Sequence, residues 1–265
     1  MGGRVGERAG TVKENDSSED SAVATVAIYS LKGGVGKTTL AVNLAWCSAV
    51  LSSRRTLLWD LDPQSASTFL IGGDAKARDQ AQAIFSRDVN PAKLVQHTGI
   101  ERLDLIPADT SLRGLDLLFH ELDKKKRLAK LLGALDKAYD RMLLDCPPGL
   151  TETSEQVMRA ADLIVVPVIP SPLSERAFED VANHLDRRGG KVPLLPVHSM
   201  VDRRRKLHAD TIARHPDWPV IPMASIVEAM AVRRLPLGAY APRSPGGQAF
   251  ADLWQAIERK LARKR

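Results

Sequence analysis

Lys32-Gly33-Gly34-Val35-Gly36-Lys37-Thr38-Thr39 follows the apolar run Val26-Ala27-Ile28-Tyr29 and leads into a helical stretch over residues 39–51. Glycines at such a strand-to-helix junction let backbone amides close around phosphate oxygens, where a Cβ would intrude. The amides and the helix N-terminus supply partial positive charge. Lys37 adds a full charge for the β and γ phosphates, and the Thr38 hydroxyl is placed to ligate Mg2+. Gly33, Gly34, Val35, Gly36, Lys37, Thr38 and Thr39 are therefore the candidate nucleotide-binding residues, with ATP and Mg2+ as the expected ligands. Position 32 departs from the usual phosphate-loop pattern, which starts with glycine. A lysine is a poor core residue, and this one lies beside a site built for several negative charges.

Working outward, Leu57-Leu58-Trp59 ends in Asp60-Leu61-Asp62-Pro63-Gln64. Period-two spacing puts both carboxylates on one side of a strand, at the carboxyl end where ligands bind in such sheets. Helix or turn capping is the other use of aspartates in this setting. Met142-Leu143-Leu144 ends likewise in Asp145, followed by Cys146-Pro147-Pro148-Gly149. A carboxylate at the end of an apolar strand holds Mg2+, through water, in phosphate-loop enzymes. The prolines stiffen the backbone, while Gly149 permits a change that depends on the γ-phosphate.

The same alternation continues along the chain. Strands are expected at 56–59, 103–106, 142–144, 163–166, 194–197 and 220–221. Helices are expected at 111–137, 152–161, 173–187, 206–214 and 247–263. Strands buried on both faces and alternating with helices imply an α/β fold: a doubly wound, mostly parallel sheet with helices on both faces. Residues 1–22, rich in Gly, Ser and mixed charge, read as a disordered tail, and 23–265 as one phosphate-loop ATPase domain.

The 265 residues are 44% hydrophobic but only 5% aromatic, so aliphatic side chains must build the core. Two cysteines, Cys47 and Cys146, lie far apart and make neither a CxxC pair nor a disulfide framework. The N-terminus has no secretory signal and no stretch is long and apolar enough to span a membrane, so a cytoplasmic protein is expected. Thirty-eight Lys and Arg against 32 acids give +6, a moderate excess that suits an acidic partner or merely a solvated surface.

Lys32-Gly33-Gly34-Val35-Gly36-Lys37-Thr38-Thr39, Asp60-Leu61-Asp62-Pro63-Gln64 and Asp145-Cys146-Pro147-Pro148-Gly149 together resemble the deviant Walker A ATPases of the ParA/MinD family. Weaker likenesses at Val165–Pro170, Ser199–Arg204, Val220-Ile221-Pro222 and Tyr240–Pro245 favour its short ParA branch. The resemblance covers residues 25–261. It implies a homodimer in the ATP state, with Lys32 acting across the interface on the partner's phosphates, much as an arginine finger does. It implies that Asp62 orders the attacking water and the metal shell, with Asp60 supporting. Asp62 and Asp145 then join Thr38 as metal residues, Pro63 and Gln64 belong to a first switch, and Pro147, Pro148 and Gly149 to a second. It further implies binding to nonspecific double-stranded DNA, a nucleoid location, and a ParB-like or cargo adaptor protein that stimulates hydrolysis.

Arg203-Arg204-Arg205-Lys206 and Arg233-Arg234 are the candidate DNA contacts, since phosphate contacts need only positive charge held on one face. Met223 and Ile226 stand where the family often places arginine. The rival is a MinD-like membrane-associated ATPase, whose chain ends in an amphipathic targeting helix. Phe250, Leu253, Trp254, Ile257 and Leu261 do form an apolar helical stripe, but a last core helix would show the same pattern, so membrane binding is not expected. A nitrogenase-like iron protein would need two cysteines placed to bridge a cluster between subunits, and neither Cys47 nor Cys146 is so placed.

Overall fold

Eight strands and twelve helices can be traced in the computed structural model, which describes residues 23–72, 81–86, 89–122, 126–189 and 192–263. The tail expected at 1–22 lies outside these. The strands are β1 (Ala24–Ile28), β2 (Thr56–Asp60), β3 (Gln96–His97), β4 (Leu103–Ile106), β5 (Arg141–Asp145), β6 (Leu163–Val168), β7 (Leu194–Val201) and β8 (Val220–Pro222). They form a sheet in the order β3-β4-β2-β5-β1-β6-β7-β8, parallel throughout except for the β3–β4 pair at one edge. The helices are α1 (Lys37–Trp46), α2 (Ala66–Leu70), α3 (Ala83–Ser86), α4 (Leu115–Leu122), α5 (Arg127–Gly133), α6 (Glu152–Ala160), α7 (Pro172–Arg187), α8 (Lys206–Arg214), α9 (Ser225–Glu228), α10 (Met230–Arg233), α11 (Leu237–Tyr240) and α12 (Pro245–Ala262).

β1, β2, β5 and β6 are buried along their whole length, which is why they read as unbroken apolar runs. One face of the sheet packs on α4, α5, α6 and α7 through Leu128, Leu132, Val157 and Val181. The other packs on α1 and α12 through Leu40, Leu44, Phe250, Trp254 and Ile257. The α12 stripe is therefore core: Phe250, Leu253, Trp254, Ile257 and Leu261 are all at most 5% exposed. At the base of the sheet Arg141 is buried and forks onto Glu258 with two bonds of 2.8 Å, which fastens β5 to α12.

Two helical expectations need correction. The helix expected at 111–137 is a 3-10 turn (Thr110–Gly114), then α4, then α5. Its apolar stripe jumps six positions from Leu122 to Leu128, a step that a 3.6-residue period does not keep on one face. The buried Arg127 starts the new helix and donates to the Ile84 carbonyl at 3.0 Å. The helix expected at 39–51 begins at Lys37 and widens into a π-helical turn over Cys47–Leu51, where Ser48 and Thr56 hydroxyls meet at 2.7 Å. The short antiparallel strand β3 went unseen because two residues carry no period.

Candidate nucleotide site

Parallel strands deliver their carboxyl ends to one edge of the sheet, and register fixes what meets there. Ile28 is level with Asp145, and Asp145 with Asp60. The glycine loop leaves β1, the Asp60–Gln64 segment leaves β2 and the Cys146–Gly149 segment leaves β5, so the three motifs converge although up to about 115 residues separate them in sequence. Between them lies a cavity of about 740 Å3. It is lined by Gly33, Gly34, Gly36, Lys37, Thr38, Thr39, Asp62, Pro63, Gln64, Pro147 and Pro148, among others. Arg203–Lys206, Arg233 and Arg234 are exposed and stand outside this cavity.

Gly36 caps α1 with φ 91°, a left-handed conformation that a side chain would strain. A Cβ at Gly33 or Gly34 would meet no protein atom within 4 Å, so the loop leaves space that the protein itself does not fill. The Lys37 side chain is buried and its Nζ donates to the Lys32 carbonyl at 3.0 Å. Burial pulls its pKa below the ordinary lysine value, while the charges of Asp145 and Asp62 pull it back. The Lys32 side chain is half-buried beside the loop, and no bond or ion pair engages its ammonium among the described residues.

The carboxylates divide into two kinds. Asp60 is buried and committed: it accepts from the Asp62 amide at 3.1 Å, the Thr68 amide at 2.9 Å and the Thr68 hydroxyl at 2.8 Å. It shapes the turn instead of facing the cavity. Asp145 accepts from the Ser67 hydroxyl at 2.7 Å on one oxygen, and the Thr38 hydroxyl lies close enough to lower its pKa, while its buried Oδ1 completes no hydrogen bond among the described residues. Burial raises the pKa of both, and the Asp145 charge raises Asp60 further. A buried carboxylate oxygen left open beside a lysine and a phosphate loop suits a divalent cation, so Asp145, with Thr38 and Asp62, fits Mg2+. Asp62 lines the cavity and also accepts from the Gln64 amide at 2.9 Å, so the turn-capping use of this residue is realised as well.

Several supporting contacts were not read from the sequence. Ser67 and Thr68 on α2 hold the two buried aspartates, and a run of hydroxyl residues directly after the acidic motif was the available signal. The Tyr29 hydroxyl donates to the Gly149 carbonyl at 2.9 Å, tying the β5 segment to β1, and burial pushes its pKa up to about 12. Gly149 itself has φ 95°. The Ser199 hydroxyl donates to the Val35 carbonyl at 2.8 Å, bracing the glycine loop from β7. Beyond the phosphate end the cavity continues between Met200, Pro222, Met223 and Val227, an apolar slot of the kind that takes a flat base. Met223, one of the two departures from the family pattern, belongs to this slot. Cys146 is fully buried with its Sγ 3.5 Å from the Leu144 carbonyl.

Residues 23–188 match the family model described as an AAA domain. The chain is 30% identical over 248 residues to the sporulation initiation inhibitor protein Soj of Bacillus subtilis, covering 88% of this chain and 97% of that protein. It is 32% identical over 191 residues to the chromosome partitioning protein ParA of Caulobacter vibrioides, covering 69% of this chain and 71% of that one. Among solved structures, the cell division ATPase MinD of Pyrococcus furiosus superposes with a TM-score of 0.74 at 21% identity, over 89% of this chain and 98% of that one.

Proposed function

The chain belongs to the ParA/MinD family of deviant Walker A ATPases, and we propose that it is a ParA-like ATPase whose ATP-bound dimer positions or segregates a cargo. ATP lies with its phosphates on residues 33–39 and its base in the slot of Met200 and Met223. Two protomers close face to face, and Lys32 of each reaches the phosphates held by the other. Asp62 orients water for in-line attack on the γ-phosphate. Thr38, Asp62 and Asp145 would hold Mg2+, which would offset the negative charge that develops on the phosphates. Hydrolysis is slow until a ParB-like or cargo adaptor protein stimulates it. The dimer binds nonspecific double-stranded DNA and so associates with the nucleoid in the cytoplasm, carrying a plasmid, a chromosome or a protein cluster.

The observation that carries this reading is the contrast between two lysines. Lys37 is buried and turned back into its own loop, whereas the Lys32 ammonium beside it has no partner among the described residues. Light scattering with ATP provides the test. Asp62→Ala should accumulate as an ATP dimer, and Lys32→Ala should bind ATP yet stay monomeric. A Lys32→Ala protein that hydrolyses ATP at the wild-type rate under partner stimulation would remove the role in trans. A MinD-like membrane role finds less support. The α12 stripe is core, and no helix among the described residues is long and apolar enough to cross a membrane.

A further inference from the structure

Three consecutive residues of α2 face three different tasks. Ser67 donates to Oδ2 of Asp145, the carboxylate that, with Thr38 and Asp62, fits a divalent cation. Thr68 holds Asp60 with both its amide and its hydroxyl, and receives the Ala108 amide at 3.0 Å. Phe69, half-exposed at the end of the same short helix, receives Arg234: the guanidinium lies 4.8 Å over its ring, and Nε donates to its carbonyl at 2.9 Å. Residues 69 and 234 are otherwise strangers, 165 positions apart, on segments that follow different strands.

The far side of this contact is held as firmly. Arg234 ends α10 in the left-handed conformation, φ 52°, with its amide on the Met230 carbonyl at 2.8 Å. A non-glycine residue keeps that conformation only where its surroundings hold it. α10 is fastened in turn to the helix of the phosphate loop. Asn43 of α1 donates to Met230 Sδ at 3.1 Å and accepts the Leu237 amide at 2.7 Å. Arg233 lies 4.9 Å over the Tyr240 ring, so the turn packs on itself, while Val232 at its crest is 87% exposed. A basic turn is thus suspended from two helices, one that starts at the glycine loop and one that touches Asp145.

We propose that the Phe69–Arg234 contact is a joint through which occupancy of the nucleotide and metal site sets the position of the basic turn 230–235, and with it the grip of that turn on polyanions. The inference deepens the DNA-binding reading above and rests on it for the polyanion. The joint itself does not. Metal and nucleotide act on Asp145 and the first switch, Ser67 passes the change into α2, and Phe69 delivers it two residues later to Arg234. A joint of this kind needs no contact between DNA and nucleotide. Arg234 is a positioning residue here, not a catalytic one.

Hydrogen exchange of the full chain reads the joint without DNA. Backbone amides of residues 230–237 should change protection at least fivefold when Mg·ATP is added to the wild type. Phe69→Leu, which keeps an apolar side chain and the carbonyl but loses the ring, should reduce that change to less than twofold, and Phe69→Tyr should restore it. Equal responses in wild type and Phe69→Leu, or none in the wild type, would overturn the joint. A second arm uses a random-sequence 60-base-pair duplex. The ratio of its affinities with ATP and with ADP should fall at least fivefold in Phe69→Leu. An intact exchange response together with a wild type that ignores the duplex in both nucleotide states would sink the DNA reading and leave the joint standing.

Discussion

Lys37 and His198 show two ways in which a buried ionisable side chain can be put to use. Burial lowers the Lys37 pKa, and the charges of Asp145 and Asp62 oppose the fall. Lys37→Ala should weaken ATP binding about 100-fold, the loss of two charge-assisted bonds at about 1.5 kcal/mol each, read by titration with a fluorescent ATP analogue. His198 on β7 has no such support. Its Nε2 meets the His215 carbonyl at 3.1 Å, its buried Nδ1 has no partner, and Trp218 lies across it with ring centroids 5.0 Å apart. Burial lowers its pKa; the bond to the His215 carbonyl opposes this, the His215 ring charge adds to the lowering, and Glu175 opposes it. The unfolded chain takes up this proton near pH 6.5, the folded chain only below that. Between those values the unfolded state binds more protons, so the contribution is full above about pH 7 and is lost as pH falls. Urea unfolding from pH 8 to 5.5 should show a shallower acid decline in His198→Gln than in the wild type. Parallel declines would mean that other groups govern the acid limb.

At the scale of elements, the sequence was legible wherever a period or a motif spans several residues. β1, β2, β5 and β6 and the three nucleotide segments fall within a residue or two of expectation, because apolar runs and glycine or proline punctuation are local signals. What was missed is carried by contacts between distant segments. The start of α5, marked in the sequence only by the jump in its apolar stripe, is fastened by Arg127 reaching Ile84, and the loop is braced by Ser199 reaching Val35, 164 residues away. Gly238 belongs to the same class. Nothing around it in the sequence asks for glycine, yet a Cβ there would sit 2.2 Å from the Trp46 ring. The close approach of α11 to α1 therefore requires it. Gly238→Ala should cost about 1 to 3 kcal/mol, as overpacking does, seen as a lower Tm. Trp46→Leu should recover most of that loss when added to Gly238→Ala, though harmful alone, because it removes the clashing ring. Two independent, additive losses would show that the ring is not what excludes the side chain.

For the whole molecule, the question is how much of its positive charge is available to a partner. The formal balance is +6, but the described structure holds the candidate cations in different ways. Arg204 forks onto Asp202 at 2.9 and 3.0 Å and holds that carboxylate's pKa down at about 2, whereas Arg233 over Tyr240 and Arg234 on Phe69 are held in place by uncharged groups and keep their charge for the turn 230–235. Arg203, Arg205 and Lys206 remain exposed at the carboxyl end of β7 with no side-chain partner among the described residues. If these three contact phosphates in each protomer of a dimer, about six counterions leave the duplex, and the logarithm of affinity should fall with the logarithm of salt with a slope of about −5. Arg205→Ala should then flatten the slope by about 2. Arg204→Ala should change it less, since its charge is already answered. Asp202→Asn makes the sharper experiment, because it keeps the size of the side chain and frees Arg204. It should steepen the slope by up to about 2, one added contact per protomer. A slope unmoved by both Arg205→Ala and Asp202→Asn would place the phosphate contacts elsewhere on the surface, and the turn after β7 would then be a solvated face.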